Sequence, residues 1–449
     1  MIKPANIIVI GGNAAGPAAA AKARRTNPEA GVIMFEEGEF ISTGTCELPY
    51  VVSKEISCYK NLVFFTPETF RQEKGVEVFI RHRVEEIDRT GKSILVRSLE
   101  ENRLLKFNYD KLVLATGSLA RRLPWLPAEL ENVFCLKSVR DLIAIRTYIR
   151  DKAVKSVVIF GAGYIGLEMA ESFNSLGCSV TLLEKGSLPL PLSEPEVQHL
   201  ILEELKERGI EFYGGISELR PITEGSRVKA FRIEGLRLEA DLVLVAVGFI
   251  PNVSLAVKSR LELGRSGAIK VDNRLRTSEQ NIYAAGDSIE VLEKVSGKPV
   301  YLPLATVAHN SGYIAGENAA GGNSFMKPVI KNIALRVFDI SYVSVGLRLE
   351  EAVNIGFKAQ SVYELAPNLV KVMPGSKKVF GKIVYDSTSY KILGASFLGG
   401  KEVTGYGDLI SSFIHSGLDV RTLGELYYNY TPPLSPFIHL LSLLGRKAR

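Results

Sequence analysis

The chain has 449 residues and a formal net charge of +6, from 55 Lys and Arg against 49 Asp and Glu. That length exceeds one core and predicts about two to four domains. With 46% hydrophobic and 23% charged residues it describes an ordinary soluble globular protein. The basic residues are spread rather than blocked, which argues against nucleic acid and for an anionic small substrate. No run approaches the roughly 18 apolar residues of a membrane helix, so no membrane partner is expected. Cys46, Cys58, Cys135 and Cys178 form neither a disulfide framework nor a metal pattern, which fits a reduced, cytoplasmic location.

The first predicted unit is β-α-β. Ile7–Ile10 is a continuous apolar strand, Gly11, Gly12, Asn13, Ala14, Ala15 and Gly16 form a turn, and Pro17–Arg25 is an alanine-rich helix. Val32–Phe35 is the second strand and runs into Glu36. Small residues at such a turn let the backbone approach a pyrophosphate, which then sits on the positive end of the helix. A carboxylate about 20 residues further on can accept hydrogen bonds from a ribose diol. Asn13 takes the place of the second glycine in the GxGxxG pattern. Next comes the loop Ile41–Tyr50, which carries Cys46. Gly44 before the thiol and Pro49 after it argue against a regular helix or strand through it. A thiol beside a bound dinucleotide is a redox or nucleophile candidate; the alternative is a small buried hydrophobe.

Lys111–Thr116 is a further buried strand and leads into Gly117, at the edge of a nucleotide crevice. A second β-α-β unit follows. Val157–Phe160 runs into Gly161-Ala162-Gly163-Tyr164-Ile165-Gly166, a complete GxGxxG, and Leu167, Ala170 and Phe173 share one helix face. Val180–Leu183 ends on Glu184, in the place that Glu36 has in the first unit. That carboxylate favours a free 2′-hydroxyl, hence NADH over NADPH, with Lys185 blunting the preference. Two nucleotide sites imply two different dinucleotides with electron transfer between them. Asp241–Val247 followed by Gly248 repeats the strand-glycine ending. Asn281–Asp287 reads as a strand ending in Gly286-Asp287, an acid able to hold ribityl or phosphate hydroxyls. The helix predicted from Ala305 to Ala319 points its N-terminus at an electron-accepting ring. Beyond residue 330 the pattern changes to alternating strands at Ile333–Phe338, Val379–Tyr385 and Ile392–Phe397, with a helix near Tyr406–Ser416. This is an α+β pattern. An aromatic segment, Tyr427–Pro433, and an apolar tail, Phe437–Leu444, predict a subunit interface.

With Gly11–Gly16, Glu36, Cys46-x-Leu48-Pro49-Tyr50, Gly161–Gly166 and Ala285-Gly286-Asp287 in this order, the chain resembles the FAD-dependent pyridine nucleotide–disulfide oxidoreductases over essentially its full length. It is most similar to their single-cysteine branch: coenzyme A–disulfide reductases, persulfide and polysulfide reductases, NADH oxidases and peroxidases. The resemblance implies an α/β fold with two Rossmann-like domains and a C-terminal α+β dimerisation domain. FAD falls to 1–118 and 248–330, NAD(P)H to 119–247, and the homodimer contact to 331–449. Thr116, Gly117 and Gly248 join the glycine turns, Glu36, Glu184, Asp287 and Ala305 as cofactor-binding candidates.

The departures from the family shape the functional expectation. A Cys-x4-Cys pair is missing, since Val51 and Ile41 stand at the two possible positions, so no intramolecular disulfide forms. Ala14 stands where the oxidases and peroxidases carry a histidine. Tyr430, ahead of Pro432-Pro433, matches a tyrosine of the coenzyme A–disulfide reductases, whereas their Tyr-Tyr-Pro-Gly segment is here Val372-Met373-Pro374-Gly375 and their Asn before the cysteine is Thr45. The implied mechanism passes hydride from NADH to FAD and then electrons to a mixed disulfide or persulfide on Cys46. In it Ser42 and Thr45 hydrogen-bond the sulfur, and Tyr430 of the second subunit protonates the leaving thiolate. Arg24, Arg25 and Arg71 are candidates for coenzyme A phosphates, with a solvated face as the alternative. Cys58, Cys135 and Cys178 read as structural, and His309, His415 and His439 show no ligand spacing. An NADH oxidase and a flavoprotein electron donor or redox sensor for a protein partner remain the alternatives.

Overall fold

The computed structural model describes residues 6–448, apart from 128, 217, 218 and 234. Three five-stranded sheets organise the chain. The first is parallel, in the order Ile282–Ala284, Lys111–Leu114, Asn6–Ile10, Gly31–Phe35, Glu77–Phe79. The second is also parallel, in the order Val133–Phe134, Leu242–Val245, Ser156–Phe160, Ser179–Leu183, Glu211–Tyr213. In both, the strand feeding the glycine turn is central and the strand ending at the acid lies beside it. Ile7, Ile8 and Val9, like Val157, Val158 and Ile159, are buried, because both faces of a parallel sheet are covered.

The third sheet is antiparallel, in the order Asn332–Val337, Ile340–Gly346, Ile392–Gly399, Lys378–Asp386, Ala359–Pro367. The sequence pattern shows three of these strands and misses Ile340–Gly346 and Ala359–Pro367. It also misses two three-stranded meanders, His82–Asp88 with Ser93–Ser98 and Arg103–Asn108, and Arg220–Glu224 with Arg227–Ile233 and Leu236–Glu239. A short ribbon, Ser118–Ala120 against Phe249–Pro251, carries the chain into and out of the second unit.

The helix after the first turn runs Ala15–Thr26, two residues earlier than expected, and packs along Ala305–Ala319. The contact is backbone-close. A Cβ at Gly312 would lie 2.2 Å from the Ala15 carbonyl oxygen, and one at Gly316 would lie 2.0 Å from that of Ala19. The alanines of the first helix serve the same approach.

The C-terminal tail corrects the sequence expectation. Leu440, Leu441 and Leu444 lie on the helix Leu440–Lys447 and are buried in the core of their own domain. Apolar exposure falls instead on the segment before it, where Tyr427 is fully exposed and Leu434 and Phe437 are 78% and 77% exposed.

A buried ionic knot joins the second nucleotide unit to the third sheet. Lys382, on Lys378–Asp386, donates to Glu194 Oε2 at 3.0 Å and to Glu196 Oε1 at 2.9 Å, while the Leu349 amide donates to Glu194 Oε1 at 2.9 Å. The Lys382 and Glu194 side chains are only 6% and 5% exposed. Removing one partner strands the other charge out of water. Lys382→Met is therefore expected to lower the unfolding free energy by about 3 kcal/mol. Chemical denaturation checks this, and an unshifted midpoint would mean that Glu194 has access to water.

Candidate functional site

Both glycine turns and the Cys46 loop open onto one cleft of about 2660 Å³. The turns are built by backbone contact. Gly11 has φ +110° and a Cβ there would meet the Ala115 carbonyl oxygen at 2.1 Å; Gly161 has φ +96° and would meet that of Ala246 at 2.5 Å. Gly16 and Gly166 press on the carbonyls of Gly11 and Gly161, at 1.8 and 1.9 Å from an added Cβ. A Cβ at Gly163, by contrast, would meet nothing within 4 Å, and the residue faces the cleft. That is room a bound pyrophosphate needs.

The two acids repeat the same geometry. Glu36 accepts from the Gly12 amide through Oε2 at 2.6 Å and from Gly38 through Oε1 at 2.7 Å. Glu184 accepts from Ala162 through Oε2 at 2.8 Å and from Gly186 through Oε1 at 3.0 Å. Each carboxylate is thus fixed by its own turn at the end of its strand, with lone pairs left over for a ribose diol. Burial pushes the Glu36 carboxyl above its ordinary range, against the two amide bonds. These residues fit a dinucleotide at each turn.

Asn13 departs from the glycine pattern for a visible reason. Its Oδ1 accepts from the Thr43 amide at 2.9 Å and from Thr43 Oγ1 at 3.2 Å, and the Ser42 amide donates to the Gly12 carbonyl at 2.8 Å. The loop with the thiol is laced to the first turn. Cys46 sits between the strand Ile41–Thr43 and the short helix Leu48–Val52, exposed on the cleft and unpaired. Its thiol is pushed up by the desolvating walls and then by the carboxylates of Glu47, Glu168 and Asp287, against Lys137.

Of the residues singled out in the sequence, Gly11, Gly12, Asn13, Ala14, Ala15, Glu36, Cys46, Thr116, Gly117, Gly161, Gly163, Tyr164, Ile165, Glu184, Gly248, Asp287 and Ala305 line this cleft. Gly16 and Gly166 shape its turns from behind. Ser42 does not line it: φ is +49°, and the hydroxyl is buried with no partner among the described residues. Thr43 and Thr45 face the cleft instead. Tyr430 is also elsewhere, half exposed on the C-terminal domain with its ring 5.3 Å from Phe437. Arg24 is engaged by the carbonyls of Pro28 and Ala30, and Arg71 by Glu77 at 3.1 Å; Arg25, with Lys22, lies over the Tyr313 ring.

Two cleft residues escape the sequence reading. Lys137 donates to Asp287 Oδ2 at 3.3 Å, beside the Ser118 hydroxyl at 2.9 Å. Glu168 stands two residues after Gly166, where helical periodicity alone predicts only a polar face.

Two nucleotide cradles around one thiol define a redox protein that holds two dinucleotides. The chain belongs to the pyridine nucleotide-disulphide oxidoreductase family, whose description matches residues 5–312. It is 31% identical over 446 residues to the NAD(P)H coenzyme A polysulfide/persulfide reductase of Pyrococcus horikoshii, covering 98% of this chain and 97% of that one. It is 30% identical to a coenzyme A disulfide reductase of Staphylococcus aureus, covering 99% of both. The solved NAD-dependent persulfide reductase from A. fulgidus superposes with a TM-score of 0.94 at 31% identity, over 99% of this chain and 83% of that one.

His439 has a structural place. Its Nδ1 accepts from the Leu441 amide at 3.3 Å, and its ring stacks on Tyr428 at 4.2 Å between centroids. Burial lowers its pKa from 6.5 to about 4. The unfolded chain binds a proton near pH 6.5 and the fold resists it until about 4, so stability falls with pH across that window. His439→Gln is expected to flatten the stability–pH curve there. Unfolding midpoints at stepped pH check this, and an unchanged acid slope counts against a neutral buried imidazole.

Proposed function

We propose that this chain is an FAD-dependent NAD(P)H oxidoreductase that reduces a coenzyme A-type disulfide, persulfide or polysulfide through Cys46. The single observation that carries the reading is the place of the thiol: unpaired and open on the cleft that both glycine turns share. A thiol with no second cysteine beside it suits a mixed disulfide with substrate rather than an internal one.

In this reading Gly11–Gly16 would hold FAD, with Glu36 for its ribose and Asp287 for its ribityl chain, and the bound flavin would supply the electron relay between nicotinamide and sulfur. The parts 1–118 and 248–330 build that site, and 119–247 takes NAD(P)H on Gly161–Gly166. Cys46 attacks the substrate sulfur as a thiolate and releases the first thiol. Thr45, facing the cleft, replaces Ser42 as the hydroxyl able to bond the sulfur. Tyr430 serves as proton donor only across a subunit boundary, and exposed Tyr427, Leu434 and Phe437 beside it support a homodimer through 331–449. Among the described residues no helix is long and apolar enough to cross a membrane. The four free cysteines, with no disulfide among them, support a cytoplasmic location.

The deciding experiment is anaerobic NADH-dependent turnover with coenzyme A disulfide, coenzyme A persulfide and polysulfide. Cys46→Ser is expected to abolish it while NADH still bleaches the flavin. Rapid oxygen reduction with no sulfur turnover would overturn the reading in favour of an oxidase. Glu184 offers a second check. Glu184→Ala, which removes the ribose acceptor, is expected to cut the NADH over NADPH preference in kcat/KM about tenfold. An unaltered ratio would place the ribose elsewhere.

A further inference from the structure

The helix that follows the thiol cannot hold itself. Leu48–Val52 is five residues long, with Pro49 in its first turn, and one helical turn alone is unfavourable in water. Its support comes from the second nucleotide unit and from the third sheet. Val51 and Val52 are buried in one core with Phe173 of the helix Tyr164–Ser175 and Val337 of the strand Asn332–Val337. On the polar side Ser172 Oγ donates to the Pro49 carbonyl at 2.9 Å, and Tyr50 Oη donates to Glu168 Oε1 at 3.4 Å.

Arg336 closes this junction. It stands between Leu335 and Val337, which are buried, so strand alternation turns its side chain to the opposite face. Its two terminal nitrogens donate to Glu55, three residues past the helix, at 3.0 and 2.5 Å. Nη2 also donates to Glu171 at 3.2 Å, and the Phe338 amide fixes the other oxygen of Glu171 at 2.8 Å. The guanidinium lies 4.8 Å from the Tyr50 ring centroid. One side chain of the C-terminal domain thus bonds an acid from each nucleotide unit, across the aromatic ring that follows the thiol. Pairs as exposed as this one, 38% at Arg336 and 48% at Glu55, add little to the stability of a whole domain. The docking of a single helical turn is a smaller equilibrium, and a bidentate arginine over an aromatic ring is enough to shift it.

We propose that Arg336 is a positioning residue for the sulfur chemistry, a clamp that keeps Leu48–Val52 docked and so fixes Cys46, two residues ahead of that helix. The upstream side of the loop is already tied by Asn13 to Thr43, and the clamp fastens the downstream side. It bears on the sulfur and leaves both glycine turns untouched. The inference rests on Cys46 as the sulfur nucleophile, and it names what holds that nucleophile in place.

The test compares wild type with Arg336→Met, which keeps an apolar stem and removes the charge, as flavin-loaded full-length protein. Three rates are read: flavin bleaching by NADH, anaerobic reoxidation by coenzyme A disulfide, and alkylation of Cys46 by iodoacetamide, followed by mass on its peptide. Bleaching is expected to stay unchanged while reoxidation slows about tenfold, because the thiol is no longer aimed. Alkylation at pH 7 is expected to rise about fivefold, because the released thiol leaves the desolvating walls that push it up. Glu55→Gln, an exposed change that leaves the core intact, is expected to show the same split in smaller measure, and Arg336→Lys to restore part of it. All three rates falling together would mark a general structural defect and overturn the clamp. An alkylation rate that stays at the wild-type value would also overturn it, and so would unchanged reoxidation where coenzyme A disulfide does reoxidise the wild type. Alkylation needs no sulfur substrate, so a wild type that no sulfur compound reoxidises refutes the proposed function, and the alkylation ratio still decides the clamp.

Discussion

Everything at this site depends on backbone touching backbone. At Gly11 against Ala115 and at Gly161 against Ala246 the turn and the neighbouring strand end are closer than any side chain permits. The tight turns bring a helix N-terminus, an open floor and a strand-end carboxylate into one small volume, twice. Gly312 and Gly316 extend the same constraint to helix packing, seating Ala305–Ala319 on the alanine-rich first helix. Any Cβ at these points would force the layers apart and dismantle the cleft.

The thiol is placed by that framework rather than by its own loop. Asn13 trades a glycine's openness for two bonds to Thr43, and the Ser42 amide bonds the Gly12 carbonyl. On its far side the loop leans on the second unit through Pro49 and Tyr50. Cys46 is thus held on the shared cleft by elements from both units. The electrostatics are less favourable to a thiolate. Walls and carboxylates raise the thiol, and the nearby cation, Lys137, is drawn to Asp287.

The C-terminal domain fastens this arrangement. Its Lys382 and Arg336 reach into the two neighbouring units, the first through a buried ion pair and the second over Tyr50. Its own core takes up the leucines of the final helix. The apolar surface that remains belongs to Tyr427, Leu434 and Phe437.

The sequence by itself determined the two cradles, because glycine turns, flanking apolar strands and strand-end acids are local and recur at fixed spacing. It placed Cys46 in a loop for the same reason, through Gly44 and Pro49. It determined the family through the order of those motifs. Only the tertiary structure decided which side chains converge. Ser42 and Thr45 are indistinguishable as loop hydroxyls until the positive φ at Ser42 carries one away from the cleft. The tail Phe437–Leu444 reads as largely apolar, yet Leu440, Leu441 and Leu444 meet a core made by distant strands. The short strands of the meanders carry too little alternation to be seen before their partners are. Glu168 and Lys137 stand at unremarkable helical and loop positions; their contacts, to Tyr50 and Asp287, are with neighbours far along the chain.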